Sequence, residues 1–436
     1  MTLRREKLTV NPIGHAKGVV HLPGSKSISN RALLLAALSK GTTHLTGLLK
    51  ADDTDRMIDS LRKLGIKIDR QSDDCAVVEG CAGQIPNRQA DLFVGNAGTV
   101  ARTLSAVLAF AEGCYRLDGV ERMRERPIAD LVDALRMLGA CVDYELKEGY
   151  PPLIFHPAQS ITDSVKVKGN VSSQFLTAIL LVSPLLAKDR ALTIEIEGDL
   201  ISKPYVEMTV RMMAVFGVEV EKLATGFRVA PGQSYRSPGN YVVEADASGA
   251  SYFLALGAMT GGPVTVLGVG KNSIQGDVGF AQFLSEMGAT VEMTENSITV
   301  SRKDEQPLIG LELDCNAIPD AAMTFVPMAL VTEGPIRLTG IGSWRVKETD
   351  RLTALATEMS KFGAIVEEGT DWLCIHKPGH VPATDATIET YDDHRMAMSL
   401  SLAAVAGVHV TVLDPDCTAK TFPTYFELLE SLRCDD

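Results

Sequence analysis

Metal-finger and disulfide signatures are missing. The eight cysteines, at 75, 81, 114, 141, 315, 374, 417 and 434, include no C-x-x-C pair, so neither a zinc site nor a disulfide framework is expected, and reduced thiols fit a cytoplasmic protein. Long apolar runs are missing too. Nothing approaches the roughly 18 residues a membrane helix needs, and the greasiest stretch, 175–186, is broken by Ser183 and Pro184. MTLRREKLTV at the start carries positive charge with no apolar segment behind it, so no secretory leader is expected. Basic residues are in deficit: 42 Lys and Arg stand against 55 Asp and Glu, a net charge of −13. An acidic surface repels nucleic acid and anionic membrane, and neither is an expected partner. An anionic small molecule then needs a local basic pocket, which makes individual Arg and Lys positions informative.

What is present is ordinary globular composition, 45% hydrophobic and 22% charged over 436 residues, enough for two domains or three. An internal repeat organises it. The steps KLGIKI, MLGACV, VFGVEV, EMGATV and KFGAIV place Gly65, Gly139, Gly217, Gly288 and Gly363 between 71 and 78 residues apart. Each Gly falls where a helix end calls for a left-handed residue. Before each step lies an apolar helix, a β-rich phrase such as LTIEIEGD or VTVLGVG, and an amphipathic helix such as DDTDRMIDSLRKLG with apolar residues at i, i+3, i+4 and i+7. The pattern reads as six βαβαββ units in two groups of three, the sixth ending in FELLESLRCDD without its closing strand.

The first helix of each unit, as in LLLAAL, FLTAILLV and MAMSLSLAAV, is apolar nearly all round and belongs in a core. Its start is polar. Ordinary N-capping by Ser25, Asn96, Ser172, Asp246, Asp320 and Asp393 would satisfy the free N–H groups there. Capping does not call for Lys26, Arg31, Arg102 and Arg395 beside those residues; helix N-termini with Arg and Lys are the chemistry of anion binding. Lys26 lies on a mostly apolar helix, where a solvated lysine is out of place. Other polar clusters have plainer readings. Asp52, Asp53 and Asp55 begin an exposed helix, Arg122, Arg124 and Glu125 form a solvated turn, His394 is structural, and GVGKN at Lys271 lacks the pattern of a phosphate-binding loop.

Nine motifs in order give the chain a resemblance to the enolpyruvyl transferase family, most closely to its branch acting on shikimate 3-phosphate. They are LPGSKSISNR (22–31), GNAGTVAR (95–102), RMRERP (122–127), VSSQF (171–175), SKPY (202–205), IPDAA (318–322), WRVKETDR (344–351), DDHRMAM (392–398) and CTAKTFP (417–423). The resemblance implies an α/β fold of two inverted α/β-barrel domains, each of three βαβαββ units. One domain would span 25–245 and the other 1–24 plus 246–436, with crossings near 23–25 and 244–246. It also implies transfer of the enolpyruvyl group of phosphoenolpyruvate to the 5-hydroxyl of shikimate 3-phosphate, by a monomer, with no metal or organic cofactor.

Carried onto matching positions, the resemblance assigns phosphoenolpyruvate to Lys26, Asn96, Gly98, Arg126, Gln174, Arg351, Arg395 and Lys420. Guanidinium groups grip phosphate and carboxylate by two hydrogen bonds each, and Gly98 admits a phosphate close to the backbone. Shikimate 3-phosphate falls to Lys26, Ser27, Arg31, Ser172, Ser173, Gln174, Ser202, Tyr205, Asp320, Ser343 and Lys347. The implied addition–elimination needs a base for the hydroxyl, a proton carrier at C3 and cations for departing phosphate. Asp320, Glu348 and Lys26 are the respective candidates for base, C3 shuttle and third proton-transfer group. Cations drawn from both halves imply domain closure once an anion enters.

Two positions depart from the family pattern. Ser343 stands where Asn is common. Thr103 stands where Pro is usual; Pro in a first helical turn fixes φ, so Thr implies a looser Gly98–Thr99 turn and weaker binding of glyphosate, the family's inhibitor. Two alternatives remain at this level. One is the sister transferase acting on UDP-N-acetylglucosamine, whose reactive Cys before the Arg-Pro has no counterpart in 115–140. The other is a non-catalytic binding protein of related units.

Overall fold

The five glycine steps all end helices in the left-handed conformation, with φ of 90° at Gly65, 98° at Gly139, 83° at Gly217, 103° at Gly288 and 78° at Gly363. The computed structural model describes residues 5–170, 172–303, 306–379 and 384–434. It is a mixed α/β chain of two compact units, Gly24–Val243 and Met1–Pro23 with Glu244–Asp436.

The second repeat shows the common plan. Strand Gln89–Phe93 leads to the buried helix Gly98–Leu108, strand Cys114–Asp118, the amphipathic helix Ala129–Met137, and the antiparallel pair Cys141–Tyr144 and Leu153–His156. The first two strands are parallel, Gln89 opposite Cys114, and the sheet order is first, second, fourth, third. A parallel pair requires a crossover connection, and the buried helix supplies it.

Two repeats borrow their first strand from far along the chain. Asn240–Val242 runs parallel to Thr42–Thr46 and completes the first repeat. Gly18–His21 runs parallel to Val264–Leu267 and completes the fourth. The sixth corrects one expectation. A short strand, Arg433–Cys434, does follow its second helix, but it pairs with His15–Ala16. Within the sixth sheet, Lys7–Val10 takes the antiparallel place beside His409–Leu413, so the N-terminal segment supplies what the C-terminal one lacks.

Burial separates the two helix types as their patterns foretell. In helix Lys26–Leu38 every residue from Ile28 onward is buried, and in Ala247–Thr260 all fourteen are. Leu33, Leu34 and Leu35 are consecutive, so they point in three directions and each still meets core. Truncating such a leucine to Ala costs about 2–5 kcal/mol. Helix Asp52–Lys63 instead buries Met57, Ile58 and Leu61 on one face and sets Asp52, Asp53 and Asp55 in its first turn and Arg62 and Lys63 in its last, matching the helix dipole.

Four expected caps form. Ser25 accepts from Ile28 N, Ser172 from Gln174 N, Asp246 from Ser248 N and Asp393 from Arg395 N. Asn96 and Asp320 do not cap. The helix after Asn96 begins at Gly98 with Ala97 before it, and the turn after Asp320 has no side-chain cap. Both side chains are engaged by cations instead, as described next.

Candidate active site

In unit Gly24–Val243 one guanidinium ties together the starts of three helices. Arg31 Nη1 donates to Ser27 O at 2.9 Å, Nε to Thr209 Oγ1 at 2.8 Å, and Nη2 to Thr177 Oγ1 at 3.4 Å and Tyr205 O at 3.5 Å. Ser27, Thr177 and Tyr205 lie at the beginnings of helices Lys26–Leu38, Ser173–Leu186 and Lys203–Val215, so these starts share one end of the unit. Burial pushes the Arg31 pKa down to about 10, which leaves it charged at neutral pH. Ser27, Ser172, Ser173, Gln174, Ser202 and Tyr205 all sit at these same starts. Ser202 holds a left-handed φ of 52° and is buried.

Lys26, at the same end, is 12% exposed and lies 3.8 Å from Asp53 Oδ2. Asp53 was expected on an exposed helix start; it is 3% exposed because the first turn of Asp52–Lys63 faces helix Lys26–Leu38. Arg126 is buried and donates through Nη1 to Asn96 O and Asn96 Oδ1, each at 3.0 Å. Its Nε has no hydrogen-bond partner among the described residues. A Cβ at position 98 would stand 2.6 Å from Arg126 Nη2, so the guanidinium occupies space that only a glycine leaves open. Arg102, expected among the anion-facing cations, turns to the protein: it donates to Pro127 O at 3.0 Å and Met123 Sδ at 3.3 Å and braces the turn that carries Arg126. Thr103 also departs from expectation. It lies in the second turn of Gly98–Leu108, and its hydroxyl donates to Thr99 O at 2.9 Å.

Asp118 anchors the other side of that turn. It accepts from Arg124 Nε and Nη2 at 2.9 and 2.6 Å, Arg116 Nη2 at 3.0 Å and Gly119 N at 2.7 Å. Burial would raise its pKa, but the hydrogen bonds from Arg124, Gly119 and Arg116 outweigh it and hold the carboxyl below its ordinary value. A depressed folded-state pKa means stability that is complete above the unfolded value and disappears as pH falls through the folded one. Asp118→Asn should therefore lower the melting temperature at pH 7, and its difference from the parent should shrink below about pH 4. Melting curves from pH 7 to pH 3 check this; a difference independent of pH would refute it.

The second cluster lies in the unit containing Glu244–Asp436, where three more helix starts converge. Arg395 Nη1 donates to Tyr252 Oη at 3.3 Å, and Ser251 Oγ meets Thr324 Oγ1 at 2.7 Å. Asp320 faces three cations: Arg395 Nη2 at 3.0 Å, Lys347 Nζ at 3.5 Å and Arg351 Nη1 at 3.6 Å. Glu348 accepts from Lys420 Nζ and from Arg351 Nη2, both at 3.0 Å. Asp393 takes Arg351 by two bonds, Nε at 2.7 Å and Nη2 at 3.2 Å. Trp344 Nε1 donates to Pro319 O at 2.8 Å and so fastens the turn Gly342–Val346, with Ser343 in it and Lys347 just after, to the segment bearing Asp320. His394 is fully buried, 3.5 Å from Asp393 Oδ1.

Charges do not cancel in this cluster. Lys347, Arg351, Arg395 and Lys420 are four cations against the carboxylates of Asp320, Glu348 and Asp393, one net positive charge in a chain of net −13. Burial lowers the Arg351 pKa, yet Asp393, Glu348 and Asp320 together hold it above its ordinary value, so it is a permanent cation. A surplus cation among nearly water-free partners favours an incoming anion. Sequence reasoning left out the double grip of Asp393 on Arg351 and the place of Tyr252 beside Arg395. The available signal was charge balance, because several buried cations require buried carboxylates.

Comparison with known proteins places this geometry in a lineage. A family model described as EPSP synthase (3-phosphoshikimate 1-carboxyvinyltransferase) matches residues 10–429. The 3-phosphoshikimate 1-carboxyvinyltransferase of Cellvibrio japonicus is 53% identical over 431 residues, covering 98% of this chain and 99% of that one. Its counterpart from Burkholderia cenocepacia is 54% identical over 430 residues with the same coverage. Among solved structures, EPSP synthase from Acinetobacter baumannii superposes with a TM-score of 0.80 at 26% identity, over 98% of both chains. The enolpyruvyl transferase NikO from Streptomyces tendae shares the fold, with a TM-score of 0.77 at 17% identity over 98% of both chains. With a family match over nearly its whole length and relatives above half identity, the chain belongs to the EPSP synthase (3-phosphoshikimate 1-carboxyvinyltransferase) family.

Proposed function

We propose that this chain transfers the enolpyruvyl group of phosphoenolpyruvate to the 5-hydroxyl of shikimate 3-phosphate and releases inorganic phosphate. One observation carries the reading: Asp320 and Glu348 sit among Lys347, Arg351, Arg395 and Lys420 at converging helix starts. That arrangement supplies carboxylates for proton transfer within a cationic surround for phosphate.

Lys26, Asn96, Gly98, Arg126, Gln174, Arg351, Arg395 and Lys420 bind phosphoenolpyruvate. Lys26, Ser27, Arg31, Ser172, Ser173, Gln174, Ser202, Tyr205, Asp320, Ser343 and Lys347 bind shikimate 3-phosphate. Because Arg31 already donates to Ser27, Thr177, Tyr205 and Thr209, its larger part is to hold the starts that carry the other ligands. In the addition step the 5-oxygen bonds to C2 of phosphoenolpyruvate, its proton passes to Asp320, and C3 gains a proton. In the elimination step the bond from C2 to the phosphate oxygen breaks, phosphate leaves with its electron pair, and C3 gives up a proton to restore the double bond. Glu348 serves C3, with Lys26 as the third proton-transfer group. The protein acts as a cytoplasmic monomer.

Phosphate release measured with phosphoenolpyruvate and either shikimate 3-phosphate or UDP-N-acetylglucosamine tests the reading. Turnover only with shikimate 3-phosphate is expected; turnover with the nucleotide sugar, or with neither, overturns it. A second expectation concerns glyphosate. Thr103→Pro takes away the hydroxyl that donates to Thr99 O at the start of helix Gly98–Leu108. It should tighten inhibition by glyphosate, and unchanged inhibition would remove Thr103 as a determinant.

A further inference from the structure

Tyr391 and Asp392 stand consecutively in the left-handed region, with φ of 55° and 53°. Neither is glycine, and residues with a Cβ keep that conformation only where their surroundings impose it. The next residues are Asp393, which grips Arg351, and, two further on, Arg395, which meets Asp320. A small rotation at 391–392 would swing both.

Glu358, a fully buried carboxylate with no part in the chemistry above, bonds to this segment. One of its oxygens accepts from Glu389 N at 3.0 Å and Lys361 Nζ at 2.7 Å, and the other accepts from Tyr391 Oη at 2.8 Å. Lys361 Nζ also donates to Thr387 O at 3.1 Å. A buried carboxylate is tolerated only with such donors. Glu358 lies two turns beyond Arg351 on helix Arg351–Ser360. That single helix therefore holds both ends of residues 389–393, Glu358 at the entry and Arg351 at the exit.

We propose that Glu358 is a positioning residue: through the Glu389 amide and the Tyr391 hydroxyl it holds the left-handed turn that aims Asp393 at Arg351 and Arg395 at Asp320. The proposal rests on Arg351 and Arg395 binding phosphoenolpyruvate. Burial, reinforced by Glu358, pushes the Tyr391 pKa up to about 12, so its hydroxyl remains a donor at any neutral pH.

The test compares Tyr391→Phe, Glu358→Gln, the double variant Tyr391→Phe/Asp392→Gly and, in parallel, Arg395→Lys, in steady-state kinetics with each substrate varied and in thermal melts. Tyr391→Phe takes the tyrosine donor from one oxygen of the buried Glu358 carboxylate, so it should lower the melting temperature by about 2–12 °C and raise the phosphoenolpyruvate KM about 3- to 10-fold, the worth of one hydrogen bond. The KM for shikimate 3-phosphate should stay within about 2-fold. Glu358→Gln should act in the same direction and more strongly. Asp392→Gly should restore most of the loss in Tyr391→Phe, because glycine adopts positive φ without support. A merely structural Glu358 would lower the melting temperature and leave the phosphoenolpyruvate KM unmoved, and that result overturns the proposal. If Arg395→Lys raises this KM while Tyr391→Phe and Glu358→Gln do not, the positioning role fails and the functional reading survives. If Arg395→Lys has no effect on it, the functional reading fails and this proposal with it.

Discussion

Arg351→Ala should lower the melting temperature by about 6–20 °C. Arg351 is the most deeply buried cation of its cluster, 1% exposed, and three carboxylates depend on it. Asp393 has the most to lose, being wholly buried and bound to Arg351 through both oxygens. Breaking a buried pair by removing one partner costs about 3–5 kcal/mol, because the remaining charge stays desolvated. For a unit of this size each kcal/mol shifts the midpoint by about 2–4 °C. Arg351→Lys keeps the charge but cannot reproduce the two parallel bonds, so it should fall between parent and Ala. Adding Asp393→Asn to Arg351→Ala should recover part of the loss, since it removes the stranded charge. Calorimetry of the three variants decides the matter. A melting temperature for Arg351→Ala within about 2 °C of the parent would mean that the pair adds no net stability.

Glu348→Gln carries the largest expected kinetic effect, a fall in kcat of roughly 10²- to 10⁴-fold. The amide matches the carboxylate in size, and its one oxygen can still accept from Lys420 or Arg351, which now bond to different oxygens of Glu348. What it cannot do is take a proton from C3 or return one. KM for both substrates should change little, because the cations that bind them remain. Exchange of solvent deuterium into C3 of phosphoenolpyruvate, read by NMR, should fall with kcat. Exchange at the parental rate in a slow enzyme would move the C3 proton to another group, and a parental kcat would end the assignment.

Local physics made much of this protein legible. The glycine steps mark helix ends in every repeat that has one, because a left-handed terminal residue is a requirement of the turn itself. Helices apolar all round proved buried and one-faced helices lay at the surface, since periodicity reports how many sides of a helix meet core. Ser25, Ser172, Asp246 and Asp393 cap as expected, a contact between residues three apart or fewer. Lys26 and Arg395 also stood out because each lies beside a polar helix start in an otherwise acidic chain, whereas Arg126, Arg351 and Lys420 were singled out by the family resemblance.

The failures share a cause. Asp53 looked solvated, Arg102 looked like an anion ligand, and Glu358 drew no notice; each partner is far off in sequence and near only once helices pack. Asn96 turned from a cap into an acceptor for Arg126, thirty residues on. The strands from Gly18–His21 and Asn240–Val242 close sheets begun more than a hundred residues away. By itself the sequence determined the repeat, the two kinds of helix and which ends are polar, all properties of windows shorter than about 15 residues. Tertiary structure alone decided which charge meets which, because a buried ion chooses its partner by distance and desolvation, and neither exists until the chain has folded.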